Sequence, residues 1–404
     1  MGKSLEQCLQ HRKMLKISVV LSSMDAQVQA SLYVPLMAAI LLAFPNSGEW
    51  LNLSMTVTSG VMVPSILIAG KLADYFDMKK ILLIGTVLFM IGGLTCAVAN
   101  SIQMIVASRF ILGIGAGLAY PMVPAMVSLM FEDHERNQVL GYTNAGASIV
   151  SLALNLSAGV LCLINWRLPF VMYLLFIPIL LLQLRFIPNF RPNRERIAEE
   201  KALKKTQIKE KLPLAALVVV GAMLIFSSAA SIFNLKLAIF VTNDLGGTSV
   251  GTGLANSCNN IVSFLGGMTF AAIFRRLRHY TCFMSVAATA IAYFILGSAN
   301  SLPVVMIGMA LIGFSFGCLI PYMMAVIAEV CPKSTVTMAM SLLTMALMLG
   351  VFFTSFVLMA YEAIVGPAIR STFYASGVFF SLCALIALAT AFYLMRRRQS
   401  KKEL

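Results

Sequence analysis

Twelve long apolar runs follow one another along the chain, at about 17–44, 51–70, 81–98, 102–130, 138–164, 168–187, 213–241, 250–274, 281–298, 302–328, 335–361 and 370–395. About 20 apolar residues in helical form cross a bilayer core, so each run predicts one membrane-spanning helix. Pro35, Pro64, Pro121, Pro124 and Pro321 fall within runs. They do not oppose helix there, because membrane helices tolerate proline. The pattern predicts an all-α membrane protein of twelve spans.

Composition narrows the function classes. Of 404 residues, 59% are hydrophobic and 11% charged, against roughly 25% charged in soluble proteins. That excludes a soluble enzyme, a nucleic-acid binder and a disordered chain. The net charge of +14 has a topological meaning instead. With the N-terminus inside, 26 Lys and Arg fall in cytoplasmic segments and two, Arg167 and Arg370, outside; Arg109 and Lys236 lie within spans. This asymmetry places both termini in the cytoplasm. Met1 to Lys16 is polar and leads into the first run without a small-residue cleavage site, so that run reads as a retained helix. The eight Cys are scattered without a CxxC pair and read as small buried hydrophobes, with no metal site.

The one long hydrophilic stretch, 188–212, divides the spans six and six. It predicts two six-helix bundles, 1–187 and 213–404, joined by a basic cytoplasmic linker, the second bundle ending in a basic tail. The halves also repeat. Gly113, Gly117, Pro121 and Ala125 in span four recur as Gly313, Gly317, Pro321 and Ala325 in span ten, an offset of 200. Both spans run in the same direction, which implies a parallel, pseudo-symmetric repeat.

Between spans two and three the chain reads Gly70-Lys-Leu-Ala-Asp74-Tyr-Phe-Asp77-Met-Lys79-Lys80. This resembles the signature loop of the major facilitator superfamily, G-x-L-a-D-r-x-G-r-k. Gly70, Leu72, Ala73, Asp74 and Lys79 fit the pattern, whereas Tyr75, Asp77 and Met78 depart from it. The resemblance implies that Gly70, Asp74, Lys79 and Lys80 form a cytoplasmic gate, an acid beside a helix N-terminus with cations nearby. Arg109 through Gly117 is similar to the superfamily's R-x-x-q-G-x-g-a pattern, and Trp166-Arg167-Leu-Pro-Phe170 to the W-R-x-x-F of drug:proton antiporters. The antiporter pattern G-P-x-x-G-G would fall on Leu154 to Gly159, where the Gly-Pro pair is missing. Exchange and co-transport therefore both stay open.

Polar residues inside the spans supply the candidate chemistry. Asp25 lies about eight residues, or roughly 12 Å, into span one. A carboxylate in hydrocarbon is a functional candidate by default, here for reversible protonation, with Arg109 as the cation that opposes it. Arg109 suits equally a structural partner to an acid or to backbone carbonyls. Gln29 and Tyr33 follow Asp25 at i+4 and i+8 on one face. Asn144, Ser148, Ser151 and Asn155 form a stripe on span five; Ser227, Ser231 and Asn234 lie on span seven, Asn256, Asn259 and Ser263 on span eight. Such residues line a substrate cavity or hydrogen-bond neighbouring helices. Lys236, near the outer end of span seven, either meets substrate or snorkels to water.

These features predict a secondary transporter that moves a small organic solute by alternating access. The first reading is proton-coupled export of a hydrophobic or amphipathic compound, with protons, solute and the lipid bilayer as partners. The second is a facilitator or proton symporter for an organic anion, contacted by Arg109 and Lys236. No G-x-x-x-x-G-K-[ST] loop is present, and the three His (11, 134, 279) lie in cytoplasmic segments, so neither ATP drive nor an intramembrane hydrolase is expected. No cofactor, catalytic residue or nucleic-acid partner is expected. Short loops and the absence of sorting signals look bacterial and place the chain in the inner membrane; a monomer is expected.

Overall fold

The computed structural model describes residues 14–45, 47–131, 133–189, 212–278, 280–332 and 335–400. Residues 190–211, most of the predicted linker, lie outside them, as do the side chains of Asp25, Asn144 and Ser148. Contacts divide the chain into two compact units, Met1–Lys209 and Glu210–Leu404. The described residues are helical with no strand, as twelve spans require. Ten stretches are long and apolar enough to cross a membrane. Shorter apolar helices, Ser31–Ala43 and Ile149–Ile164, belong to spans one and five.

In the first unit, span one is broken into α1 (14–22), α2 (Asp25–Tyr33), a 3-10 turn at Val34–Leu36 and α3 (Met37–Ala43). Carbonyls at the first break would be costly in hydrocarbon without donors. The Ser22 hydroxyl donates to the Ser18 carbonyl and that of Ser23 to the Val20 carbonyl, each at 2.7 Å. The buried Gln183 amide donates to the Ser22 hydroxyl at 2.9 Å and ties span six to this break. Span two is α4 (Gly48–Leu72), span three α5 (Met78–Ala97), and span four α6 (Ile102–Ala119) with α7 (Met122–Met130). Span five is α8 (Asp133–Ile164); span six is α9 (Leu168–Val171), a 3-10 stretch and α10 (Phe176–Phe186).

The second unit holds α11 (Leu214–Ala230) and α12 (Ile232–Ile239) for span seven, extended by a π turn to Asp244. It continues through α13 (Ser249–Leu277), α14 (Tyr280–Ser298), α15 (Leu302–Val330), α16 (Val336–Val365) and α17 (Ile369–Ser400). The break at Ala230–Ser231 is sealed by Tyr293 from α14. Its hydroxyl donates to the Ala230 carbonyl at 2.8 Å and accepts from the Phe233 amide at 3.3 Å.

The repeat seen in the sequence recurs in the packing. Spans two and four cross at Gly113 and Gly117; spans eight and ten cross at Gly313 and Gly317. A Cβ on Gly113 would stand 2.8 Å from the Thr58 carbonyl, and one on Gly313 2.2 Å from that of Asn259. Thr58 donates to the Arg109 carbonyl at 3.2 Å, and Asn259 to the Met309 carbonyl at 3.0 Å, a like contact whose acceptor is 200 and whose donor 201 residues on. At the other end of the spans Arg167 reaches Ala99 and Asn100, while Arg370 reaches Gly297 and Asn300.

Candidate functional site

Helix α6 begins at Ser101, whose side chain caps it by accepting from the Met104 amide. Two turns later it presents Arg109, which is 1% exposed. A buried guanidinium needs acceptors. Its Nη1 donates to the Gln29 carbonyl and its Nε to the Ser54 carbonyl, both at 3.3 Å. Its planar face lies 4.2 Å from the centre of the Tyr33 ring, a cation–π contact. Arg109 thus joins spans one, two and four.

The surrounding hydroxyls are ordered in one sense. Ser54 gives its proton to the Leu51 carbonyl at 2.6 Å, so Tyr33 is the donor in the 2.5 Å contact with the Ser54 oxygen. The Gln29 amide nitrogen points at the Met62 sulfur at 3.5 Å, and its Oε1 is buried with no hydrogen-bond partner among the described residues. Asp25 opens α2 one turn before Gln29 and two before Tyr33. Its backbone therefore occupies the same helical face that meets Arg109.

The other predicted residues are more dispersed. Asn155 is buried and donates to the Ser151 carbonyl at 2.8 Å; Asn144 and Ser148 occupy positions on the same helix. In the second unit Ser231 and Asn256 are buried and Asn234 half-buried. The Asn259 amide is engaged by span ten, as helix-to-helix hydrogen bonding anticipates. Lys236 forms an ion pair with Glu362 near the end of α16.

The loop between spans two and three is built from caps. Asp77 accepts from the Lys79 amide at 2.9 Å and starts α5. The Lys79 ammonium donates at 2.8 Å to the Leu184 carbonyl, in the last turn of α10, where a cation suits the helix dipole. Asp74 is half-buried in the turn, and Lys80 and Gly70 are exposed. A Cβ on Gly70 would meet nothing within 4 Å.

Sequence reasoning missed Glu362, Ser54, Thr58 and Tyr293. Glu362 lies one residue beyond the predicted end of span eleven, whose helix runs to Val365. Extending that run by one turn would have found it. Tyr293 gave no signal, since a tyrosine in an apolar span is unremarkable until the break it seals is known.

The sequence matches the Major Facilitator Superfamily model over residues 17–237 and again over 217–404. The chain belongs to that superfamily. Among relatives, the multidrug resistance protein MdtL of Shigella flexneri is 30% identical over 144 residues, 35% of this chain and 37% of that protein. MdtL of Salmonella paratyphi C is 32% identical over 104 residues, 26% of each. An uncharacterized transporter of the superfamily in Mycobacterium tuberculosis is 35% identical over 96 residues, 24% of this chain and 17% of that protein. The matched segments thus span well under half of each relative. Solved structures agree in fold across nearly the whole chain. The nucleoside transporter NupG superposes with TM-score 0.74 at 12% identity, covering 95% of this chain and 99% of its own. A D-xylose–proton symporter gives 0.70 at 18% identity, covering 92% and 97%. The likeness to these structures carries the superfamily's twelve-helix fold alone. With its superfamily given by the sequence, the protein is an integral membrane transporter, not an enzyme, and it resembles the drug:proton antiporter branch.

Proposed function

We propose that this transporter exports a hydrophobic or amphipathic compound against protons, by alternating access, with Asp25 as the proton-bearing group and Arg109 as its electrostatic counterweight. One observation carries the reading: the buried charge of span four is absent from span ten. At the offset of 200, Arg109 corresponds to Met309, which is fully buried. A six-helix bundle of this packing forms with an apolar residue at this place, so the fold does not require the guanidinium. Keeping a guanidinium, and a carboxylate one turn from its carbonyl partner, in a span is costly, which argues for function. The relatives named for multidrug resistance support an amphipathic cargo.

In the mechanism, a proton taken by Asp25 removes a negative charge from the face of α2 that meets Arg109. The Arg109 guanidinium then rests on the Gln29 and Ser54 carbonyls and the Tyr33 ring. Deprotonation restores a competing acceptor one turn away, about 6 Å along the helix. Spans one, two and four share these contacts, so the proton biases how the three helices are tied. We place the substrate against Gln29, Tyr33, Asn155 and their neighbours, and assign Asp74 with Lys79 and Lys80 to the cytoplasmic gate. Both termini are proposed to be cytoplasmic, in a bacterial inner membrane.

The test is flux in proteoliposomes. Compounds that raise the melting temperature of the purified protein are assayed with and without an imposed proton gradient. Gradient-dependent uphill movement is expected. Downhill movement indifferent to the gradient would refute coupling and favour an organic-anion facilitator.

A further inference from the structure

The Lys236–Glu362 ion pair joins spans seven and eleven inside the second unit. Neither partner belongs to the proton-bearing set of spans one and four. Its position suits a head group at the edge of the membrane. Span seven runs from Leu214 to Asp244, 31 residues, or about 46 Å at ~1.5 Å per residue. Centred in a hydrocarbon layer of roughly 30 Å, it overhangs by about 8 Å at each end. Lys236, eight residues before Asp244, then lies only about 4 Å inside the layer. Leu235, Leu237 and Ala238 around it are all buried.

The two partners are held unequally. The Lys236 side chain is 12% exposed and that of Glu362 25%. Lys236 lies inside span seven, since a π turn carries the helix on to Asp244. Glu362 sits in the last turn of α16, where the helix dipole disfavours an anion; its own carbonyl accepts from Gly366, the residue that ends the helix at φ 90. Glu362, the more exposed partner at a helix end, is the one better placed to turn to water, while Lys236 is flanked by buried apolar residues. Opening through Glu362 would leave a partly buried ammonium that needs an anion.

We infer that Lys236 is the head-group site for the carboxylate of an amphipathic anion, and that Glu362 is the resident carboxylate such a ligand displaces. This rests on the reading of the protein as a transporter of amphipathic compounds and narrows their class. A cationic ligand at Glu362 would instead require Lys236 to leave the better-buried place, which the geometry disfavours.

The test uses the full chain purified in detergent, titrated calorimetrically with benzoate and, as its cationic counterpart, benzylammonium. Because no gradient or flux is involved, its failure leaves Asp25-coupled export standing, and failure of Asp25 leaves this result standing. Glu362→Gln should bind benzoate about tenfold tighter than wild type, equivalent to ~1.4 kcal/mol. The double variant Lys236→Gln/Glu362→Gln, a neutral pair, should fold and lose that gain. Benzylammonium should be indifferent to all of them. Should Glu362→Gln fail to fold, Glu362→Asp, which withdraws the carboxylate by one methylene, should give a smaller gain in the same direction. Equal benzoate affinity in wild type and variant, no benzoate binding at all, or benzylammonium binding lost in Glu362→Gln would each overturn the assignment.

Discussion

Replacing Arg109 separates a residue kept for function from one kept for the fold. Among the described residues, the guanidinium makes two hydrogen bonds to carbonyls at 3.3 Å and a ring contact at 4.2 Å. Charge-assisted bonds contribute about 1.5–3 kcal/mol each, at the low end for such lengths. The ring adds roughly 0.5–2 kcal/mol. Against this sum of about 4 kcal/mol stands the effective penalty of burying the charge, itself several kcal/mol. Arg109→Met removes both sides of the balance. The two carbonyls remain in helices, where the backbone also offers them donors. Its stability should therefore stay within about 1–2 kcal/mol of wild type, as buried Met309 illustrates in the other half. Arg109→Lys keeps the buried charge, but a single ammonium cannot span two carbonyls and cover a ring. It should lose about 2–3 kcal/mol, or roughly 4–10 °C in melting temperature. Both variants should lose proton-driven transport. The assay is thermal unfolding of the purified protein, followed by flux. An Arg109→Met protein that melts about 8 °C or more below wild type, with Arg109→Lys unaffected, would refute this balance and make Arg109 a structural tie.

Gly313→Ala places a Cβ 2.2 Å from the Asn259 carbonyl oxygen, a backbone atom that cannot yield alone; spans eight and ten must separate, at about 1–3 kcal/mol, whereas Gly70→Ala, with nothing within 4 Å, should leave melting unchanged. Tyr293→Phe strips a donor and an acceptor from the break in span seven and should lower stability by about 1–3 kcal/mol, measured by the same unfolding. Asp74→Asn should fold normally yet impair flux; wild-type flux would reduce that residue to an ordinary turn.

The spans and their repeat were legible in the sequence because the bilayer leaves few alternatives. Backbone polar groups must pair within each segment, so a run of about 20 apolar residues specifies a helix almost alone. Gly113, Gly117, Gly313 and Gly317 were equally legible, since close helix crossings demand a missing Cβ at regular spacing. Arg109 and Lys236 stood out as charges in apolar runs, but their partners did not. Arg109 is satisfied by carbonyls of spans one and two, and a carbonyl carries no sequence signal. Lys236 finds Glu362 on span eleven, 126 positions away, just beyond a boundary that hydropathy places only to within about four residues. The Asp77 cap shows the reverse case: an Asp within one turn of an apolar run is itself a helix-start signal, and here it caps α5.

The central claim is that Asp25 carries the coupled proton, and Asp25→Asn tests it most directly, because the amide imitates the protonated acid at nearly constant shape. The measurement is transport in proteoliposomes under an imposed proton gradient, with substrate binding followed from about pH 5 to 8. The account predicts that Asp25→Asn still binds substrate, that its binding no longer varies with pH across that range, and that uphill transport is gone. Uphill transport by Asp25→Asn with the wild-type pH profile would contradict it.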